Sequence, residues 1–206
     1  MASTAPIPER LSLQTLRDAA DGCRACELWA GATQTVFGAG LKRARMMLVG
    51  EQPGDREDLA GMPFVGPAGG VLHRAIAEAG LDERELYLTN VVKHFRNQPK
   101  GKRRIHQPPE ARHIAACRPW LTAELAVVRP EVLVCLGAVA AHALLGPGVK
   151  VTADHGRPVE SDLADHVTVT AHPSSILRIR DADARHAAYD ALVADLRAAK
   201  QRGREG

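Results

Sequence analysis

The sequence contains 206 residues, of which 45% are hydrophobic, so it can bury one substantial core in a single domain spanning residues 1–206. A formal net charge of +3 is too small to identify a nucleic-acid-binding protein by bulk charge alone. No apolar run is long enough to span a bilayer, and the first residues lack the order of a signal peptide, so we expect a cytoplasmic protein without membrane contact.

Strands and helices are predicted to alternate along the chain. Helical spacing of apolar residues predicts helices over 11–20, 68–79, 109–128, 137–145 and 182–200. Apolar runs predict strands at 45–49, 86–92, 131–136 and 166–171, with a partly exposed strand region at 151–160. The first few residues and 201–206 are expected to be mobile. The alternation predicts an α/β fold of three layers, α/β/α, with a central, mostly parallel sheet.

The predicted strands bring three polar loops to one edge of the sheet. The first loop runs from Gly50 to Asp55, the second follows Asn90, and the third runs from His172 to Ser175. Open α/β sheets bind their ligands at the carboxyl ends of their strands. The sequence therefore predicts a ligand site at this edge.

A basic loop follows the second predicted strand. Four of its residues are cationic: Lys100, Lys102, Arg103 and Arg104. Such a concentrated patch can neutralise phosphates by displacing counterions. A solvated surface loop is an equally good interpretation of the same residues.

Four cysteines in a cytoplasmic chain indicate metal binding or buried thiols rather than disulfides. Cys23 and Cys26 form a Cys-x-x-Cys pair, which with two distant ligands is typical of a structural zinc or an iron-sulfur cluster. Cys135 lies within an apolar run, where a free cysteine acts as a small buried hydrophobic residue. His94 and Cys117 flank the basic loop and can converge on a peripheral site, although the residues alone favour an ordinary loop histidine at position 94.

Four further motifs occur in order along the chain: GEQPGD at 50–55, PFVG at 63–66, LTNVVK at 88–93 and HPSS at 172–175. Together they resemble the iron-sulfur uracil-DNA glycosylases of family 4. The longer basic loop, which ends in Lys-Arg-Arg-Ile-His, is similar to that of the UdgX branch. Members of that branch bind uracil-containing DNA covalently instead of turning over.

The resemblance spans residues 23–177 and implies a uracil-DNA glycosylase-like fold and an enzyme of DNA base-excision repair. It also implies a 4Fe-4S cluster held by Cys23, Cys26, His94 and Cys117. The family pattern has cysteine where this chain has His94, which is a departure from it. Cys135 matches no ligand position of the family.

The resemblance and the chemistry of uracil together suggest the residues that bind the base. Phe64 would stack on the flipped base, and Asn90 would accept from uracil N3–H and donate to O4. His172 would donate to O2, and Gln52 would complete the pocket. The alternatives are a core phenylalanine, a loop-capping asparagine and a helix N-cap in the HPSS motif.

Cleavage of the glycosidic bond creates an oxocarbenium-like sugar that a nucleophile must capture. We expect His106 to capture C1′ through a ring nitrogen, while Glu51 accepts a hydrogen bond from the other nitrogen. Gln52 lies where some relatives carry an aspartate that positions water, and an amide is a poor base. Asp55 is a candidate for orienting water or the sugar. The predicted DNA-backbone contacts are Lys102, Arg103, Arg104 and Ser174.

Three functions are therefore weighed. The first is a single-turnover glycosylase that ends as a covalent His106 adduct, and the second is a conventional family 4 enzyme that releases free uracil repeatedly. The third is a metal-stabilised nucleic-acid-binding module without catalysis. The expected partners are uracil-containing DNA, preferably single-stranded, and free uracil, and the protein is expected to be a monomer.

Overall fold

The structure is a computed structural model that describes residues 5–205. Its strands are β1 (Ala39–Gly40), β2 (Met46–Gly50), β3 (Leu86–Asn90), β4 (Asn97–Lys100), β5 (Arg103–His106), β6 (Val132–Leu136), β7 (Pro158–Val159) and β8 (His166–Thr170). Its α-helices are α1 (Leu13–Asp21), α2 (Asp55–Ala60), α3 (Pro67–Glu78), α4 (Ala111–Val128), α5 (Ala138–Leu145), α6 (Val151–Asp154), α7 (Pro173–Arg178) and α8 (Ala182–Glu205). Two short 3₁₀ segments, Glu27–Ala30 and Glu83–Glu85, complete the secondary structure.

Six strands form one sheet in the order β1-β3-β2-β6-β8-β7. The four inner strands are parallel, whereas β1 and β7 pair antiparallel at the two edges. From β2 the chain moves to β3 on one side and later to β6 on the other, so the topology reverses at β2. A crevice for ligands is expected at the carboxyl ends of the strands next to such a reversal.

The inner strands are buried on both faces, which explains their continuous apolar sequences. Met47 and Val49 of β2 pack with α1, α4 and α5, whereas Met46 and Leu48 pack with α3, α7 and α8. Successive strand residues point to opposite faces, so one run of residues supplies both cores. The predicted three-layer α/β/α fold with a mostly parallel sheet is confirmed.

Several local predictions were wrong. The basic loop contains an antiparallel hairpin, β4–β5. The predicted strand region at 151–160 is instead the short helix α6 followed by the two-residue strand β7. The last predicted helix ends too early, because α8 continues beyond 200 to Glu205; the mobility of the tail stays a prediction. The first four residues, also predicted to be mobile, lie outside the described part of the chain.

None of the helices within residues 5–205 is long and apolar enough to cross a membrane. The cytoplasmic location stays a prediction.

Candidate active site

A cavity of about 590 Å³ opens at the carboxyl edge of the sheet. Gln52 follows β2, Asn90 ends β3, His106 ends β5, and His172 follows β8. Phe64, between α2 and α3, lines the same cavity. The fold thus brings together all four residues that were predicted to bind uracil and the predicted nucleophile.

Asn90 and Phe64 form the inner wall of the cavity, and both are buried. The side-chain oxygen of Asn90, Oδ1, has no hydrogen-bond partner among the described residues. A Cβ atom at Gly50 would lie 2.5 Å from that oxygen and 2.8 Å from Cζ of Phe64, so only glycine admits both side chains here. A buried, unsatisfied acceptor beside an aromatic ring is suited to a planar ligand that offers an N–H group.

His172 caps the N-terminus of α7. Its Nδ1 accepts the backbone N–H of Ser174 at 3.2 Å, and the Ser174 hydroxyl lies 2.9 Å from the same nitrogen. Because Nδ1 is an acceptor, a neutral ring carries its proton on Nε2. Burial, assisted by the charges of Arg178 and His106, lowers the pKa of His172 to about 4. His172 can therefore act as a neutral N–H donor, and the N-cap interpretation of the HPSS motif also applies.

Gln52 holds the hairpin rather than facing outward. Its Oε1 accepts the backbone N–H of Arg96 at 3.1 Å, which fixes the orientation of the amide. The amide nitrogen then lies 2.8 Å from the carbonyl oxygen of Gln107 and 2.9 Å from Nε2 of His106. Since that nitrogen can only donate, Nε2 of His106 carries a lone pair. Gln52 thus orients the predicted nucleophile.

Glu51 approaches His106 from the other side. Its Oε1 lies 3.5 Å from His106 Nε2, the nitrogen that also accepts from Gln52. We expected Glu51 to contact the ring nitrogen that does not attack the sugar, but Glu51 and Gln52 are both close to Nε2. Burial raises the pKa of Glu51, although Arg178 opposes this effect. Burial and the charge of Arg178 both lower the pKa of His106, so its ring is neutral at neutral pH. The neutral imidazole of His106 therefore lines the cavity with the Glu51 side chain close beside it.

Arg104 connects the hairpin to α2. Its guanidinium donates to Asp55 at 2.8 Å, to the Thr33 hydroxyl at 3.0 Å and to the fully buried carboxylate of Asp58. The predicted phosphate contact does not match these interactions, because two carboxylates already neutralise the guanidinium. Asp55, predicted to orient water or the sugar, is the partner of Arg104 at the rim of the cavity.

The other predicted DNA contacts differ in exposure. Lys102 and Arg103 lie at the exposed end of the hairpin, so the predicted phosphate contacts are sterically open there. The Ser174 hydroxyl is in contact with the ring of His172. The phosphate contacts of Lys102, Arg103 and Ser174 stay predictions, and so does that of Arg104, whose guanidinium is bound to Asp55 and Asp58 in this structure.

Arg178, which ends α7 and lines the cavity, is a site residue that sequence reasoning missed. Its charge affects the pKa values of Glu51, His106 and His172 in the directions described above. The signal that could have revealed it is the short helix that begins at HPSS, because that helix ends in this cation.

The four predicted metal ligands come from three distant segments. Cys23 and Cys26 lie between α1 and the first 3₁₀ segment, His94 follows β3, and Cys117 lies in α4. Cys23, His94 and Cys117 are buried, and Cys26 is half-buried. Cys135 is fully buried in β6 within the core, as expected for a residue that is not a ligand.

The surroundings of these side chains suit an iron-sulfur cluster. The Trp120 indole N–H donates to Cys23 Sγ at 3.2 Å, and the Lys93 backbone N–H donates to Cys117 Sγ at 3.3 Å. Such bonds stabilise negative charge on sulfur. Within residues 5–205, no three His, Cys, Asp or Glu side chains meet as they would around one metal ion. A cluster differs from one ion in this respect, because each of its irons takes a separate protein ligand.

The hydroxyl of Thr35 determines which nitrogen of His94 is free. That hydroxyl donates its only proton to the Ala20 carbonyl at 2.9 Å, so it accepts from His94 Nε2 at 3.0 Å. Nδ1 of a neutral His94 then carries the lone pair. Burial lowers the pKa of His94, which favours this neutral, ligating form.

Lys93 connects the metal candidates with the cavity. Its buried ammonium group forms an ion pair with Glu124 of α4 and donates to the Asn90 carbonyl at 2.7 Å. Its backbone N–H donates to Cys117, as described above. The end of β3 is therefore fixed to α4 by groups that also contact Asn90 and Cys117.

Comparison with known proteins agrees with this geometry. Residues 37–197 match the family model described as the uracil DNA glycosylase superfamily. A type-4 uracil-DNA glycosylase of Thermotoga maritima is 37% identical over 164 residues, covering 79% of this chain and 82% of the relative. A type-4 uracil-DNA glycosylase of Pyrobaculum aerophilum is 31% identical over 175 residues, covering 82% and 86% of the two chains.

The family match extends from the residues just before β1 into α8 and so includes the whole sheet and every residue of the cavity described above. The chain therefore belongs to the uracil-DNA glycosylase superfamily, among relatives of family 4.

Proposed function

We propose that this protein excises uracil from DNA and is then captured on the abasic sugar through His106, as in the UdgX branch. The observation that carries the proposal is the position of His106 in the cavity. A neutral imidazole lies there beside Glu51, in the same cavity as the predicted base-binding residues Phe64, Asn90 and His172. The uracil-excising part of the proposal is also supported by the type-4 relatives.

Base recognition would use the unsatisfied acceptor of Asn90. Uracil N3–H would donate to Asn90 Oδ1, and the Asn90 amide would donate to O4. Cytosine has an acceptor at N3 and a donor at C4, so it would leave both groups of Asn90 unpaired. The Phe64 ring would stack on the flipped base.

The N-glycosyl bond between C1′ and N1 would break with its electron pair leaving on uracil. His172 would donate a hydrogen bond from Nε2 to uracil O2, where negative charge accumulates. The carboxylate of Glu51 would stabilise the positive charge that develops on the sugar. Both groups act in a largely buried cavity, where such interactions are stronger than in water.

Capture would form a bond between His106 Nε2 and C1′. The hydrogen bond from the Gln52 amide to His106 Nε2 would break, and the freed lone pair would attack the sugar cation. The product is an N-alkyl imidazolium that still carries the Nδ1 proton. Loss of that proton yields a neutral imidazole with little tendency to depart. An imidazole held in place reacts at a far higher effective concentration than a free nucleophile, which favours capture over hydrolysis.

We also propose that Cys23, Cys26, His94 and Cys117 hold a 4Fe-4S cluster. When bound, the cluster would supply a covalent connection between the N-terminal segment, the end of β3 and α4. The hydrogen bonds to Cys23 and Cys117 and the free Nδ1 of His94 support this ligand set.

The test is a denaturing gel of a uracil-containing single-stranded oligonucleotide, with released uracil measured in the same samples. Wild type should give a shifted band and at most one uracil per protein. His106→Ala should give no shifted band. Ile105→Ala is the matched control, because Ile105 is an exposed neighbour on the same strand and should leave the shift intact.

The outcomes separate the alternatives. A shifted band with His106→Ala would contradict capture by His106. Uracil released in large excess over protein, with unshifted DNA, would establish the conventional multiple-turnover enzyme. No release of uracil from any substrate would indicate a binding module without catalysis.

A further inference from the structure

The backbone of Phe64 is held in an unusual conformation. Its φ is 58°, one of two positive values for non-glycine residues within the described chain. This left-handed conformation is unfavourable for a bulky residue, so neighbouring groups must hold it. Gly69 leaves room for it, because a Cβ there would lie 1.7 Å from the Phe64 carbonyl oxygen.

The Phe64 carbonyl is bound by a histidine outside the cavity. Nε2 of His73, on α3, lies 2.7 Å from that oxygen, and Nδ1 of the same ring lies 2.8 Å from Oε2 of Glu83. A carbonyl only accepts, so Nε2 of His73 is the donor in this bond. Glu83 contacts the other ring nitrogen and so holds the ring in the orientation that directs Nε2 at the carbonyl.

We propose that His73 and Glu83 are positioning residues that fix the Phe64 ring at the site of the flipped base. The inference deepens the proposed function and depends on it. Neither residue lines the cavity, so both act only through the Phe64 main chain. Glu83 holds the ring of His73, His73 holds the carbonyl, and the carbonyl determines the direction of the aromatic side chain.

The experiment compares His73→Leu with His73→Gln in a single-turnover assay on uracil-containing DNA. Leucine removes the donor, whereas glutamine can place an amide N–H near the position of Nε2. The rate constant at saturating DNA should fall about tenfold with leucine and stay within about threefold of wild type with glutamine. The DNA concentration for half-maximal rate should not change, because phosphate contacts are untouched.

His142→Leu is the matched control. Nε2 of His142 also lies near a main-chain carbonyl, that of Val149 at 3.0 Å, but on α5 and away from the cavity. Its removal should leave the single-turnover rate unchanged. Equal losses in the two leucine variants would overturn the inference, because they would reflect general destabilisation.

A second comparison tests whether His73 acts through Phe64. Adding His73→Leu to Phe64→Ala should reduce the rate no further, because no ring remains to be positioned. A full additional tenfold loss would contradict the proposal. Glu83→Gln, at an exposed position, provides a variant that should fold normally and show a smaller loss of the same kind.

A crystal structure of unliganded His73→Leu gives a result that does not depend on catalysis. The proposal predicts that Phe64 leaves the left-handed region or that its ring is disordered. A Phe64 unchanged in φ and ring position would overturn it, even if wild type proves inactive on uracil. An inactive wild type with a displaced Phe64 in the variant would contradict the proposed function alone.

Discussion

His106 lies between two groups that do different things to the same nitrogen. The Gln52 amide donates to His106 Nε2 at 2.9 Å, so the lone pair of that nitrogen points toward Gln52. Oε1 of Glu51 lies 3.5 Å from the same nitrogen. Burial lowers the pKa of His106 and raises that of Glu51. The pair is therefore prepared for a reaction that creates positive charge beside Glu51.

Replacing Glu51 by glutamine tests the contribution of this carboxylate. The amide keeps the size of the side chain but removes the charge that would stabilise the sugar cation. We expect the rate of adduct formation to fall about a hundredfold. Rapid-quench sampling on denaturing gels measures this rate, and a Glu51→Gln protein as fast as wild type would refute the role of the carboxylate.

The pH dependence of adduct formation follows from the same two groups. His106 must be neutral and Glu51 ionised, so activity is lost as the pH falls through their pKa values. Because burial and the charge of Arg178 lower the pKa of His106 from 6.5, the part of the acidic limb that His106 causes should have its midpoint below pH 6.5.

Arg178→Gln should move this acidic limb to higher pH. The charge of Arg178 lowers the pKa values of both His106 and Glu51, so its removal raises both. The rate of adduct formation measured across the pH range gives the two profiles. An acidic limb that stays in place, or moves to lower pH, would show that Arg178 does not control these groups.

The β4–β5 hairpin is the element that presents His106, and the sequence did not predict it. Its strands are short and mostly polar, from Asn97 to Lys100 and from Arg103 to His106, so they show no apolar alternation.

By contrast, β2, β3, β6 and β8 begin and end within two residues of the predicted positions, because continuous apolar runs mark them. The strand predicted near Val151 and Val159 failed because β-branched residues alone do not determine a strand.

The anchor of the hairpin was also invisible in the sequence, since Arg104 and Asp58 are 46 residues apart. Arg104→Met should leave the buried carboxylate of Asp58 without its cation and destabilise the fold by roughly 1–3 kcal/mol, the cost of an unsatisfied buried group. It should also slow adduct formation, because β5 would no longer hold His106 beside Glu51. Urea unfolding and the gel assay measure the two effects.

Arg103→Met is the control for this prediction, because Arg103 is an exposed cation on the same strand. It should change only the salt dependence of DNA binding. Equal stability and equal adduct rates for the two variants would show that Arg104 is not an anchor.

At the scale of the whole molecule, the candidate cluster joins segments that are far apart in the sequence. Cys23 and Cys26 precede the sheet, whereas Cys117 lies in α4. The motifs predicted which residues lie together at the carboxyl edge of the sheet, because short segments at strand ends carry them. Arg178 and Thr35 could not be predicted, because their contacts exist only after the strands and helices have packed.

Iron content tests the proposed ligand set. Cys117→Ser should lose iron and lower the midpoint of thermal unfolding, because metal binding contributes to the stability of the fold. His94→Cys should retain iron, since thiolate ligates such clusters as well as imidazole does. Iron and zinc analysis of the purified proteins decides the matter, and stoichiometric zinc without iron in wild type would refute the cluster.

The most direct measurement of the central claim is mass spectrometry of the conjugate formed with uracil-containing DNA. After digestion by protease and nuclease, the peptide that carries the sugar should contain His106, and fragmentation should locate the added mass on that imidazole. A linkage mapped to any other side chain, or a peptide without added mass, would contradict capture by His106.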